Sequence, residues 1–285
     1  FMNQVNVEFN GQLTLAIQVF KGEYNRKFML QLISSQLDMD RMDYLKRDSF
    51  YSGVSEGNVN SERLIQMMNV VDDVLVIEEK GIYSVEKFLM SRRLMYWQVY
   101  LHKTSLVAEL ILTKILKRAK ELTQKGVHLP CSAPLTFFME NKVTITTFDA
   151  ETLDLFAQLD DFDIISALKS WQKQDDFILS SLSKMIVNRD LLKIKLTSEK
   201  VTIEELQPLK ERFATANNIS LLETNYFIFK GKIKNQAYSK EAEPIRILNK
   251  DKTIEDVVDA SDQLNLKSLS KSVTKYYSCF PKQLL

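Results

Sequence analysis

The chain has 285 residues, enough for about two domains, and its 7 Gly and 5 Pro are too few for an all-β fold built on tight turns. Hydrophobic residues at 45% and charged residues at 26% exclude a disordered chain. The balance of 38 basic against 37 acidic residues, a net charge of +1, points to no nucleic-acid partner and no acidic membrane.

In chain order, apolar residues recur at three- and four-residue spacings over residues 12–20, 25–48 and 61–68, which predicts three helices, the third capped by Asn60 or Ser61. A small hairpin is predicted near 73–83, turning at Lys80-Gly81, after which Ser84 caps a long helix running through Arg92 and His102 to about Leu122. Over 124–134 the sequence QKGVHLPCSAP loses periodicity and marks a linker between a helical unit, 1–125, and an accessory unit, 135–285. Beyond it Leu192, Ile194 and Leu196 alternate with lysines, and NYFIFKGKIKN and PIRIL also read as strands. Helices fit 161–171, 175–188 and 203–216. The fold class is therefore mainly α, followed by an α+β domain.

Cys131 and Cys279 are isolated, and no run supplies the ~18 uninterrupted apolar residues of a membrane span. Both features fit a soluble, cytoplasmic protein. The opening FMNQVNVEFN has no signal-peptide regions and does not start with Met, so a missing N-terminal part is expected.

The segment DMDRMDYLKRD, residues 38–48, carries the most chemistry. At about 100° per residue Asp40, Tyr44, Arg47 and Asp48 share one sector, opposite Met39, Met42 and Leu45. The carboxylate of Asp40 suits a hard or borderline metal, and Arg41, Tyr44 and Arg47 suit phosphate oxygens. A solvated helix face with internal ion pairs is the alternative. A second stripe, Arg92, Tyr96 and Lys103 with Tyr100 on its flank, combines cations for phosphates with rings for a base. Its alternative is a set of packing aromatics with solvated neighbours.

The two histidines, His102 and His128, have no metal-ligand spacing, and neither Cys131 nor any serine sits in a nucleophile pattern. The acids at 160, 161, 163, 175 and 176 stand where helices start and read as caps, while Asp256, Asp259 and Asp262 read as a wet helix face. Absence of a glycine-rich phosphate loop removes P-loop and Rossmann readings.

DMDRMDYLKRDSFYSGVSEG and SVEKFLMSRRLMYWQVYLHK together resemble the HD-superfamily phosphohydrolases, specifically bacterial deoxynucleoside triphosphate triphosphohydrolases akin to the animal sterile-alpha-motif and HD-domain enzyme. The resemblance covers about residues 10–122. It implies the C-terminal part of an HD-domain helical fold, in which Asp40 is the last ligand of a divalent metal centre otherwise made of a His and a His-Asp pair. It also implies that Arg41, Tyr44 and Arg92 hold the triphosphate, Asp48 meets the sugar 3′-hydroxyl and Tyr100 borders the sugar or base; Tyr96 and Lys103, which the spacing sets on the Arg92 stripe, join them as substrate-binding candidates. No His precedes Asp40 in this chain, so the imidazole ligands are expected upstream of it and the 285-residue chain alone is expected to be inactive and not to retain the metal. Leu101 replaces a polar base-contacting residue, so base preference does not carry over. The implied reaction is hydrolysis of a deoxynucleoside triphosphate (dNTP) to deoxynucleoside and triphosphate, in a dimer or tetramer with a nucleotide effector. The competing classes are a non-catalytic nucleotide- or protein-binding module and a hydrolase of another nucleotide phosphoester.

Overall fold

The computed structural model describes residues 1–241, 243–262 and 269–284. Two compact units divide the chain, the first from residues 1–101 and 234–273, the second from 102–233 and 274–285. The linker expected at 124–134 therefore lies inside the second unit. Residues 234–273, expected in the accessory domain, return to the first.

The first unit begins with α1 (Met2–Glu8), α2 (Thr14–Lys21), α3 (Lys27–Ile33), α4 (Met39–Ser52) and α5 (Ser61–Gln66). One helix was expected over 25–48, yet the chain breaks between α3 and α4. Asp38 explains the break: its buried carboxylate accepts from the Arg41 N–H at 2.8 Å and the Ser35 N–H at 3.1 Å, so it caps α4 and closes the preceding turn. Apolar spacing continues across this turn and hides it.

Strands β1 (Met68–Val71) and β2 (Val74–Glu78) form the hairpin, Val71 facing Val74. Its turn is Asp72-Asp73 rather than Lys80-Gly81, with φ of 48° and 62°, the left-handed pair of a tight hairpin turn. Asp73 is held there by Arg26 Nε and the Lys27 N–H, each at 2.7 Å. Lys80 and Gly81 instead form a 3-10 turn leading into α6 (Ile82–Met95).

The long helix expected to about Leu122 is also interrupted. A π turn over Tyr96–Tyr100 widens the backbone, and α7 (Lys103–Thr123) starts afresh with His102, whose Nδ1 accepts from the Thr104 N–H at 3.3 Å. In the second unit α8 (Ala133–Glu140), α9 (Ala150–Ala157), α10 (Asp161–Trp171) and α11 (Phe177–Val187) follow, with α7 packed on α11. Asp160 and Asp163 form a reciprocal capping box on α10 and Asp176 caps α11, as their positions predicted. Strand β3 (Lys193–Thr197), α12 (Gln207–Asn217) and β4 (Phe229–Asn235) complete this stretch. The core of the second unit includes Ile111, Ile115, Trp171, Leu182 and Phe227.

Back in the first unit, β5 (Arg246–Leu248) adds parallel to β2, and β6 (Ile254–Asp256) pairs antiparallel with β5, giving the order β1-β2-β5-β6. Of the wet face expected at 256, 259 and 262, Asp259 and Asp262 are exposed but Asp256 is not. Asp256 is buried, caps α13 (Val257–Ala260) and accepts from the Tyr238 hydroxyl. Strand β7 (Val273–Phe280) lies between β3 and β4 in the three-stranded sheet. The first unit's core joins Leu45, Leu64, Phe88 and Met95 to Tyr238 and Ile247. Among the described residues no helix is long and apolar enough to cross a membrane.

Candidate functional site

Helix α4 sorts its residues as the spacing predicts: Met42 and Leu45 are buried, Tyr44 and Asp48 are half-buried, and Asp40, Asp43 and Arg47 face solvent. Arg47 pairs with exposed Asp43 one turn away, the ordinary solvated outcome. Arg41 is bound more firmly, its Nη1 donating to the Asp38 carboxylate and the Ser35 carbonyl. Its guanidinium is thereby fixed at the start of α4.

Two tyrosines from the π turn cluster with Tyr44 of this helix. The Tyr100 ring meets Tyr44 edge-on at 6.2 Å and 73°, and Tyr96 edge-on at 5.1 Å and 75°. The Tyr100 hydroxyl donates to Asp48 Oδ2 at 2.6 Å, a charge-assisted bond between the π turn and α4. The π turn carries consequences here: it brings Tyr96 and Tyr100 together. Burial, reinforced by Tyr96 and opposed by Arg92 and Arg41, holds the Tyr44 phenol above its ordinary pKa. Burial and then the Asp48 carboxylate raise that of Tyr100 further. Both phenols stay protonated, and so remain donors, at neutral pH.

Arg92, on the last turns of α6, donates from Nη1 to the Ala237 carbonyl at 3.1 Å, while its buried Nε has no partner among the described residues. An unpartnered guanidinium N–H away from solvent is costly unless something accepts from it. Residue 237 is held in place through its neighbours, since the Ser239 N–H donates to Gln36 Oε1 at 2.8 Å and Gln36 Nε2 returns a bond to the Ser239 carbonyl at 2.6 Å. Gln36 and Ala237 were absent from the sequence reading. A backbone carbonyl 145 positions from Arg92 leaves no local signal.

Asp40 is exposed, and no described residue bonds its carboxylate. Among the described residues no three His, Cys, Asp or Glu side chains lie together, so the donor set present does not fit a complete divalent metal centre. No hydrogen bond or ion pair among the described residues joins Lys103 to Arg92, Tyr96 or Tyr100. Lys103 lies on α7 in the second unit, beyond the break at Leu101-His102, and lines a groove there with Arg189 and Lys282.

Residues 59–128 match the HD associated region family. A phosphohydrolase crystal structure from Bacteroides thetaiotaomicron is 49% identical, superposes with a TM-score of 0.92, and is matched over 98% of this chain and 70% of its own. The uncharacterized protein YwfO of Bacillus subtilis is 42% identical over 176 residues, 61% of this chain and 39% of that protein. A deoxynucleoside triphosphate triphosphohydrolase SAMHD1 homolog of Dictyostelium discoideum is 28% identical over 99 residues, 34% of this chain and 19% of that protein. The chain spans about two fifths of the length of the Bacillus relative.

Proposed function

Because this chain belongs to the HD-type phosphohydrolases, we propose that it carries the nucleotide-holding part of a hydrolase that converts deoxynucleoside triphosphates to deoxynucleoside and inorganic triphosphate. The observation that carries the reading is the buried, unpartnered Nε of Arg92, whose charge acts on Tyr44, together with the Tyr44–Tyr100–Tyr96 ring cluster and the Tyr100–Asp48 bond. A guanidinium N–H in need of an acceptor suits a phosphate oxygen. A carboxylate held by a phenol suits a sugar hydroxyl, and the neighbouring rings suit the face of a sugar or base. The deoxynucleoside triphosphate class is favoured by the Dictyostelium relative.

In this reading Arg92 anchors the phosphate chain through Nε, and Arg41, fixed by Asp38, adds positive charge near the start of α4. Asp48 orients the sugar by accepting from its hydroxyl, while Tyr100 keeps that carboxylate in place. Tyr44 and Tyr96 wall the nucleoside and exclude water. HD-type phosphohydrolases use divalent metals, which supply water activation and charge neutralisation when bound. In this proposal Asp40 contributes one ligand, and the remaining ligands come from outside the described residues.

The test is turnover with product analysis on a panel of deoxynucleoside triphosphates, monophosphates and cyclic nucleotides with added divalent metal, using the 285-residue chain and a longer form of the protein. Release of inorganic triphosphate by the longer form, abolished in Asp40→Asn and reduced at least tenfold in Arg92→Ala, is expected. Orthophosphate or pyrophosphate as the product, or full activity in both variants, would refute the assignment.

A further inference from the structure

A second concentration of charge lies in the second unit, independent of the reading above. Along α7, Lys114, Arg118 and Glu121 share one face, and Lys125 continues the stripe just past the helix end. Together with Lys117 and the 3-10 turn Glu223–Tyr226 they enclose a cavity of about 480 Å³, within the usual range for small-molecule sites.

The charges in and around this cavity are segregated. Asp176 grips Arg118 with two bonds, at 2.5 and 3.1 Å, and Glu121 and Glu223 each approach the same guanidinium to 3.6 Å. Glu121 also accepts from the Tyr226 hydroxyl at 2.5 Å. Three carboxylates are thus spent on one arginine. Lys114, Lys117, Lys125 and Lys210 have no carboxylate within ion-pair distance among the described residues.

Two of these ammonium groups even share one neutral partner: Lys114 Nζ donates to the Asn225 carbonyl at 3.0 Å and Lys210 Nζ to Asn225 Oδ1 at 2.6 Å. Lys114 also lies over the Tyr226 and Phe229 rings, at 5.8 and 4.7 Å from their centroids. Burial, followed by repulsion from Lys117 and Lys210, holds the Lys114 pKa below the ordinary lysine range. The lysines converge with no carboxylate paired to any of them among the described residues, and an anion of several charges relieves the repulsion between them.

We propose that this cavity is an oligophosphate site, with Lys114, Lys117 and Lys125 as the cations that line it and Lys210, bonded to the lining Asn225, adding positive charge behind them. Lysine ammonium groups act as compact point charges and suit a flexible chain of phosphates better than a planar carboxylate. The ligand's phosphates come either from free inorganic oligophosphate or from the tail of a nucleotide.

The test is calorimetric titration of sodium tripolyphosphate, without divalent metal and at fixed ionic strength, into the 285-residue chain carrying Arg92→Ala, which weakens phosphate contacts in the first unit. Saturable binding is expected. A Lys117→Glu/Lys125→Glu pair, both positions exposed, should weaken it by about tenfold or more, whereas Lys80→Glu/Lys173→Glu, the same change in net charge elsewhere on the surface, should leave it unchanged. The same titration with dATP identifies the source: an affinity equal to tripolyphosphate means that the phosphate tail suffices, and a tighter one adds the nucleoside, with the Lys117/Lys125 reversal weakening both. No saturable binding, equal loss in both reversed pairs, or orthophosphate binding as tightly as tripolyphosphate would overturn the proposal. Turnover plays no part in this readout, so the result stands apart from that of the hydrolase reading.

Discussion

Replacing Tyr100 by Phe removes one hydroxyl and nothing else from the aromatic group. The ring keeps its edge-on packing against Tyr44 and Tyr96, so the perturbation isolates the bond to Asp48 Oδ2 at 2.6 Å. A hydrogen bond to a charged acceptor contributes about 1.5–3 kcal/mol when buried. Both partners are half-buried, which lets water replace part of the loss, so about 1–2 kcal/mol of stability is expected to disappear. Urea unfolding of the wild type, Tyr100→Phe, Asp48→Asn and the double variant closes a thermodynamic cycle. The coupling energy should be about 1 kcal/mol or more, and because the Tyr100 pKa is raised the coupling should persist to alkaline pH, as long as the phenol remains a donor. Additive single effects, with coupling near zero, would show that the π turn is not tied to α4 in this way.

Two further outcomes follow from the packing and charge described above. Burial alone would raise the Asp176 pKa, but the Arg118 bonds and the Leu179 N–H outweigh it and hold it below the ordinary value. Its stabilising contribution is therefore fully present above about pH 4, the unfolded value, and is lost as pH falls through the depressed folded one. Asp176→Asn should cost about 1–3 kcal/mol near pH 7 and flatten the acid limb of a stability–pH profile; an unchanged acid limb would contradict this. At Gly57 an added Cβ would overlap the Met95 side chain and come within 2.9 Å of the Ser49 Cβ, so Gly57→Ala should lower stability by about 1–3 kcal/mol in thermal or urea unfolding. A neutral effect there would mean that α6 yields more readily than its packing indicates.

Much of the helical organisation was legible because apolar spacing and caps are local. Asp160, Asp163 and Asp176 stand at helix starts and bond there, and β3 follows the alternation of Leu192, Ile194 and Leu196. The breaks were harder to read. Asp38 ends a turn inside continuous apolar spacing, and His102 caps α7 although imidazole is an uncommon cap. The parallel pairing of Ile77 with Ile247 and the return of 234–273 to the first unit join residues far apart in the chain, which no local pattern records. In the site, the spacing on α4 located Tyr44 and Asp48, and the resemblance pointed to Arg92 and Tyr100. The break before Lys103 was not legible, because a helix drawn straight through Leu101 does not show the π turn or the fresh start at His102. The Arg92–Ala237 contact required the fold itself.

Whether Arg92 and its aromatic neighbours hold a nucleotide is tested most directly by equilibrium titration of the 285-residue chain with a deoxynucleoside triphosphate in the absence of divalent metal. The background is Lys117→Glu/Lys125→Glu, so that binding in the second unit is suppressed. Saturable binding is expected, weakened about tenfold or more in Arg92→Ala, where the buried N–H donor is lost, and weakened less in Arg47→Ala, whose side chain is exposed and paired with Asp43. Equal affinity in Arg92→Ala and the unaltered site would contradict the assignment.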